Sequence, residues 1–143
     1  MKRRLLPNFR LLAFPAALAL AATAGAALAC SCLPPVSAAA QLEDAELMIV
    51  ARVAEVRRLP PQDGYPMAET RFTVSRTIKG ETRRNWWIRH GQDSTLCGAE
   101  FRPGREYVVI AHRSDGRLWT GQCSRAWFPL EDYERAAAEA AAA

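Results

Sequence analysis

Hydrophobic and polar positions divide the chain into one long apolar run and a series of short alternating ones. Leu11 to Ala29 is almost wholly apolar and rich in Ala and Leu. Beyond it, Ser37 stands before Ala38–Asp44, and a serine ahead of such a run predicts a short capped helix. Leu47-Met48-Ile49-Val50-Ala51 is apolar at every position. A strand over Glu46 to Arg57 therefore starts with both faces covered, then alternates, with Arg52 and Glu55 turned to solvent. Arg58 to Pro66 holds Pro60, Pro61, Asp63, Gly64 and Pro66, which predicts a loop. Over Ala68 to Ile78, Phe72, Val74, Arg76 and Ile78 alternate with Arg71, Thr73, Ser75 and Thr77, a strand pattern. Further strands are expected over Asn85–His90, Glu106–His112 and Arg117–Gly121. Pro103-Gly104 marks a turn, and Ser114-Asp115-Gly116 a tight hairpin. Pro129 opens a second helix that runs into an alanine-rich tail, expected to fray over about residues 136–143. The expected class is all-β: five short strands with a helix before and a helix after. The natural candidate is the five-stranded Greek-key barrel called the OB-fold. No internal repeat or domain boundary interrupts residues 30–143.

The opening run changes the reading of charge and location. Lys2, Arg3, Arg4 and Arg10 precede the apolar stretch, and Ala27-Leu28-Ala29 ends it with small residues at the positions a signal peptidase accepts. Pro15 and Gly25 interrupt the run, which argues against a membrane anchor. Residues 1–29 are therefore expected to be a cleaved signal, and the mature chain to be secreted, periplasmic or extracellular. All of the net charge of +4 resides in that segment, because its four basic residues meet no acid. The mature part is formally neutral, so nucleic-acid binding is not indicated. A monomer without membrane attachment is expected.

Cleavage after Ala29 would leave Cys30 as the first residue. A lipid anchor on Cys30 is the minority reading: the residue three before it is Ala27 rather than Leu, and lipidation would leave an odd number of thiols. The cysteines are Cys30, Cys32, Cys97 and Cys123. An even count in a small exported domain reads as two disulfides. A Cys30–Cys32 ring would be strained, so each N-terminal cysteine is expected to reach Cys97 or Cys123. Leu33-Pro34-Pro35 then makes a stiff strap.

Enzyme chemistry has little to build on. His90 and His112 lie in or beside strands with no third ligand at metal spacing, so a structural role is expected for each. No Ser/His/Asp constellation or glycine-rich phosphate loop is present. Neither a catalytic residue, a cofactor nor a metal of the protein's own is expected. Trp86 and Trp87 face opposite ways on a strand. One is expected in the core, the other under the C-terminal helix or at a partner surface. What remains is the terminus. A free α-amine and its own carbonyl oxygen can grip a metal in a five-membered ring. An ordinary α-amine has a pKa of about 7.7–8.0, so part of it is neutral near pH 7. Such a chelator could fill the open coordination position of another protein's catalytic zinc.

Cys30-Ser31-Cys32-Leu33-Pro34-Pro35 resembles the opening of the N-terminal domain of the tissue inhibitors of metalloproteinases, within the netrin-like (NTR) superfamily. Asp44–Ala51, Ile78-Lys79-Gly80, Ser94-Thr95-Leu96-Cys97-Gly98, Pro103–Tyr107 and Ser114-Asp115-Gly116 with Gly121-Gln122-Cys123 are similar to later segments of that domain, in the same order. The resemblance implies an OB-fold with Cys30–Cys97 and Cys32–Cys123 bridges. It implies a secreted inhibitor of zinc metalloendopeptidases in which the Cys30 amine and carbonyl chelate the target's zinc. Ser31 would then face the pocket for the residue after the cut. Cys32, Leu33, Pro34, Ser94, Thr95 and Leu96 would line the substrate cleft. The alternative within the superfamily is a non-inhibitory binding module.

Overall fold

The computed structural model describes residues 30–93 and 97–143; the expected signal at 1–29 lies outside them. Ser37 caps the first helix, α1 (Ala38–Asp44), by accepting from the Ala40 amide at 3.1 Å. Five strands follow: β1 (Leu47–Gln62), β2 (Tyr65–Lys79), β3 (Asn85–Gly91), β4 (Glu106–Ser114) and β5 (Arg117–Trp119). A 3-10 turn at Gln122–Ser124 leads to α2 (Leu130–Ala142). The strands close into a barrel in the order β1-β2-β3-β5-β4, with β4 returning to β1. Every pairing is antiparallel except β3–β5.

The all-apolar start of β1 is explained by two cores. Leu47, Ile49, Ala51 and Val53 point into the barrel with Phe72, Ile88, Val109, Ala111 and Leu118. Met48, on the opposite face, packs outside it with Ile110, Leu42, Ala45 and Tyr133. This second cluster holds both helices on the barrel wall. The Tyr133 hydroxyl fixes it by accepting from the Trp127 and Phe128 amides at 3.0 and 3.2 Å and donating to Gln41 Oε1. The Gln41 amide group in turn donates to the Arg125 carbonyl at 2.8 Å. Regular helix continues to Ala142, past the point where fraying is expected, and Ala136 and Ala137 pack against the second cluster. Alanine has the best intrinsic helix propensity, which agrees with this length.

Arg58–Pro66 is not a loop. β1 runs on to Gln62, turns tightly at Asp63 (φ 50°) and Gly64 (φ 80°), and returns from Tyr65. Positive φ at both central residues suits an Asp-Gly pair and matches the twist of a two-residue hairpin. The prolines are tolerated because the ladder shifts register between Leu59↔Met67 and Gln62↔Tyr65, where Pro60, Pro61 and Pro66 sit. The result is an arm that extends the barrel wall.

Trp86 packs on the barrel core. Trp87 does not lie under a helix. It faces outward on the sheet, with the Arg57 guanidinium 4.0 Å from its ring centroid, an arrangement that covers its apolar face. His112 Nδ1 lies 3.2 Å from the Asp44 carbonyl. His90 is 2% exposed, with Nε2 2.7 Å from Thr70 Oγ1 and Nδ1 2.9 Å from the Gly91 carbonyl. A carbonyl only accepts, so Nδ1 carries the proton and Nε2 accepts from the threonine.

Burial lowers the His90 pKa, and its backbone hydrogen bonds oppose that only in part. The unfolded chain therefore takes up the proton first as the pH falls. Stability contributed by the neutral ring is complete above the unfolded value of about 6.5 and declines below it, by up to about 1.4 kcal/mol per pH unit. Urea unfolding at about pH 7.5 and about pH 5.5 should show this loss, and His90→Gln should flatten it. An equal slope in the variant would assign the loss elsewhere.

Candidate functional site: the cysteine-tethered strap

Residues 30–36 form no helix or strand. Two disulfides position them: Cys30–Cys97 with 5.4 Å between Cα atoms, and Cys32–Cys123 with 5.2 Å. These are the pairs the resemblance implies. At its far end the strap enters α1 through the Ser37 cap. The α1 carbonyls of Leu42 and Glu43 each accept from Lys79 Nζ at 2.8 Å, which ties the helix to the end of β2.

Within the strap, Cys30 and Cys32 are half-buried at their bridges and Ser31 between them is exposed. Leu33 is 90% exposed and Val36 93%; Pro34 is also exposed. Prolines fix the backbone direction with few internal hydrogen bonds.

The Cys97 side of the bridge is as firmly held. The Gln122 amide donates to the Cys97 carbonyl at 3.0 Å, and the Ala99 amide to the Gly91 carbonyl at 3.0 Å. Cys97 itself adopts φ 66°, a left-handed conformation that costs a non-glycine residue roughly 1–2 kcal/mol. Its neighbours must be small. A Cβ on Gly98 would stand 2.7 Å from the Asp93 carbonyl, and one on Gly121 2.7 Å from the Cys97 carbonyl. The glycines thus let three backbones meet around the cysteine.

Ser94, Thr95 and Leu96 lie outside the described residues. Of the residues on either side of them, Cys97 is bridged to Cys30. The structure therefore brings together Cys30, Ser31, Cys32, Leu33 and Pro34 with both bridge partners. Among the described residues no group of three His, Cys, Asp or Glu side chains is placed to hold a metal ion. No described helix is long and apolar enough to cross a membrane.

The hairpin arm also borders this region, which the loop pattern of Arg58–Pro66 does not predict. The Gln92 amide donates to the Pro66 carbonyl at 3.0 Å, joining the arm to the Cys97 segment. A groove of about 490 Å³ opens between the arm's tip, the Cys97 segment and the β4–β5 turn. Tyr65, 53% exposed, stands at its edge. The Asp63-Gly64 pair was the signal for this arm, but the three prolines masked it. No family model and no curated protein matches the chain.

Proposed function

We propose that the exported chain is an inhibitor of zinc metalloendopeptidases of the tissue-inhibitor type, built on a Greek-key OB-fold of the netrin-like superfamily. The observation that carries this reading is the rigid exposure of the strap. Two disulfides and a capped helix hold the segment at its ends, Ser31 and Pro34 are exposed, and the apolar Leu33 is left uncovered. The strand order β1-β2-β3-β5-β4 supports the fold assignment.

The chemistry follows from cleavage after Ala29. The Cys30 amine nitrogen and carbonyl oxygen would chelate the target's catalytic zinc and displace the water that performs hydrolysis. Coordination would select the neutral amine and release its proton. Ser31 would enter the pocket for the residue after the cut, and Cys32, Leu33 and Pro34 would follow the substrate cleft. Ser94, Thr95 and Leu96 would flank them. Because the bridges already fix the strap, little conformational entropy is lost on docking. The inhibitor needs no cofactor; the zinc belongs to its partner.

Two measurements test the reading. Intact mass of the exported protein should correspond to a chain beginning at Cys30 with both bridges formed and no lipid. That material should inhibit at least one member of a panel of zinc endopeptidases, competitively with a peptide substrate. An acylated Cys30 would exclude chelation. A correct terminus with no inhibition across the panel would favour a non-inhibitory binding module.

A further inference from the structure

The groove beside Cys97 has a composition that names its occupant. Its aromatic walls are Tyr65 on the hairpin arm and Trp119 on β5, with Met67 between them. Two acids reach it from separate turns, Asp63 at the arm's tip and Asp115 in the β4–β5 turn, while Asp93, which has a partner of its own, borders it beside the Cys97 segment. Among the described residues no lysine, arginine or histidine lines it. Arg89, 5.9 Å from the Trp119 ring centroid, belongs to the neighbouring cleft with Leu59 and Pro60. Aromatic faces together with negative charge suit a cationic side chain with an apolar stem, which can lie on the rings while its charged end meets the acids.

The geometry points to this groove as a second docking site, taking an arginine or lysine side chain from the partner protein. It deepens the inhibitor reading and rests on it only for the identity of that partner. Cys97 lines the groove and is bridged to Cys30. A protein seated on the strap would therefore extend over the groove, and a basic residue on its rim would contribute to both affinity and choice of target. The site would favour targets with a basic rim and disfavour acidic ones.

The test does not require the target. An uncharged-ended Ac-Gly-Arg-Gly-NH2 peptide is titrated into 15N-labelled protein beginning at Cys30, with norleucine in place of arginine as control. The arginine peptide should shift the Trp119 indole and the Tyr65, Gly91 and Gly98 amides saturably, and the norleucine peptide should not. Asp63 and Asp115 have φ of 50° and 49°, a region asparagine also tolerates, so D63N/D115N removes charge while keeping both turns. That variant should bind the arginine peptide about five- to tenfold more weakly, with the rest of the spectrum unchanged. Equal shifts with norleucine, undiminished binding by the variant, or no saturable shift would each overturn the proposal. None of these outcomes depends on whether Cys30 chelates zinc, which the protease panel decides separately.

Discussion

Adding one alanine before Cys30 of a chain that begins there should weaken the proposed inhibition by at least about a hundredfold, the equivalent of roughly 3 kcal/mol of lost zinc ligation. The alanine turns the amine into an amide. An amide nitrogen shares its lone pair with the carbonyl and is not available to a metal. The added residue would also occupy the space next to the zinc. Cys30 is held by its bridge to Cys97, and the strap by the Cys32 bridge and the Ser37 cap. Thermal unfolding should therefore be unchanged. The comparison needs inhibition constants for both forms against the same protease, with mass confirmation of each terminus. Full inhibition by the extended form would exclude amine chelation.

Replacing Cys32 and Cys123 together by serine should lower stability by about 4 kcal/mol. Their bridge spans a sequence separation of 91 residues; constraining an unfolded loop of that order is worth about 4.6 kcal/mol in the chain-entropy model, and less here because the Cys30–Cys97 bridge already shortens the loop. With a urea slope of about 1–1.5 kcal/mol per molar, typical of a small domain, the unfolding midpoint should fall by about 3 M. The double serine variant avoids leaving an unpaired thiol. A loss under about 1 kcal/mol would mean that this bridge adds little constraint to the unfolded chain. The Cys30–Cys97 bridge, with a separation of 67, differs by only about 0.3 kcal/mol in the same model. Its larger effect is expected on the proposed inhibition, because it holds Cys30, the residue proposed to chelate.

Much of the architecture could be read from local pattern. The alternation in β2, the doubly apolar start of β1, the Ser37 cap and the turn at Ser114–Gly116 each carry their own physical signal, and the structure places an element at each. The hairpin arm did not yield to the same reading. Pro60, Pro61 and Pro66 are loop residues by propensity; only the register shift that leaves them out of the ladder makes a strand possible there, and register is a long-range property. Trp87 shows the same limit. Alternation sets it opposite Trp86, but whether a helix or an arginine covers it depends on Arg57, which lies on a neighbouring strand pair. At the candidate site, the strap was legible because disulfide chemistry and proline stiffness act locally. The groove was not, because Asp63, Asp93 and Asp115 become neighbours only when the barrel closes.

That closure has a thin point. β3 and β5 meet in parallel through a single ladder pair, Arg89↔Trp119, extended by the Thr120 amide donating to the Arg89 carbonyl at 2.9 Å. Sparse hydrogen bonding of this kind marks where a native protein breathes first. Cys97 follows β3 and Cys123 follows β5, so the bridges to Cys30 and Cys32 fasten one short tripeptide across the two lips of that seam. Any opening of the seam would pull on the tripeptide, and any partner that clamps the tripeptide would hold the seam shut. Occupation of the strap should therefore be felt as slower amide exchange along β3 and β5, far into the barrel wall.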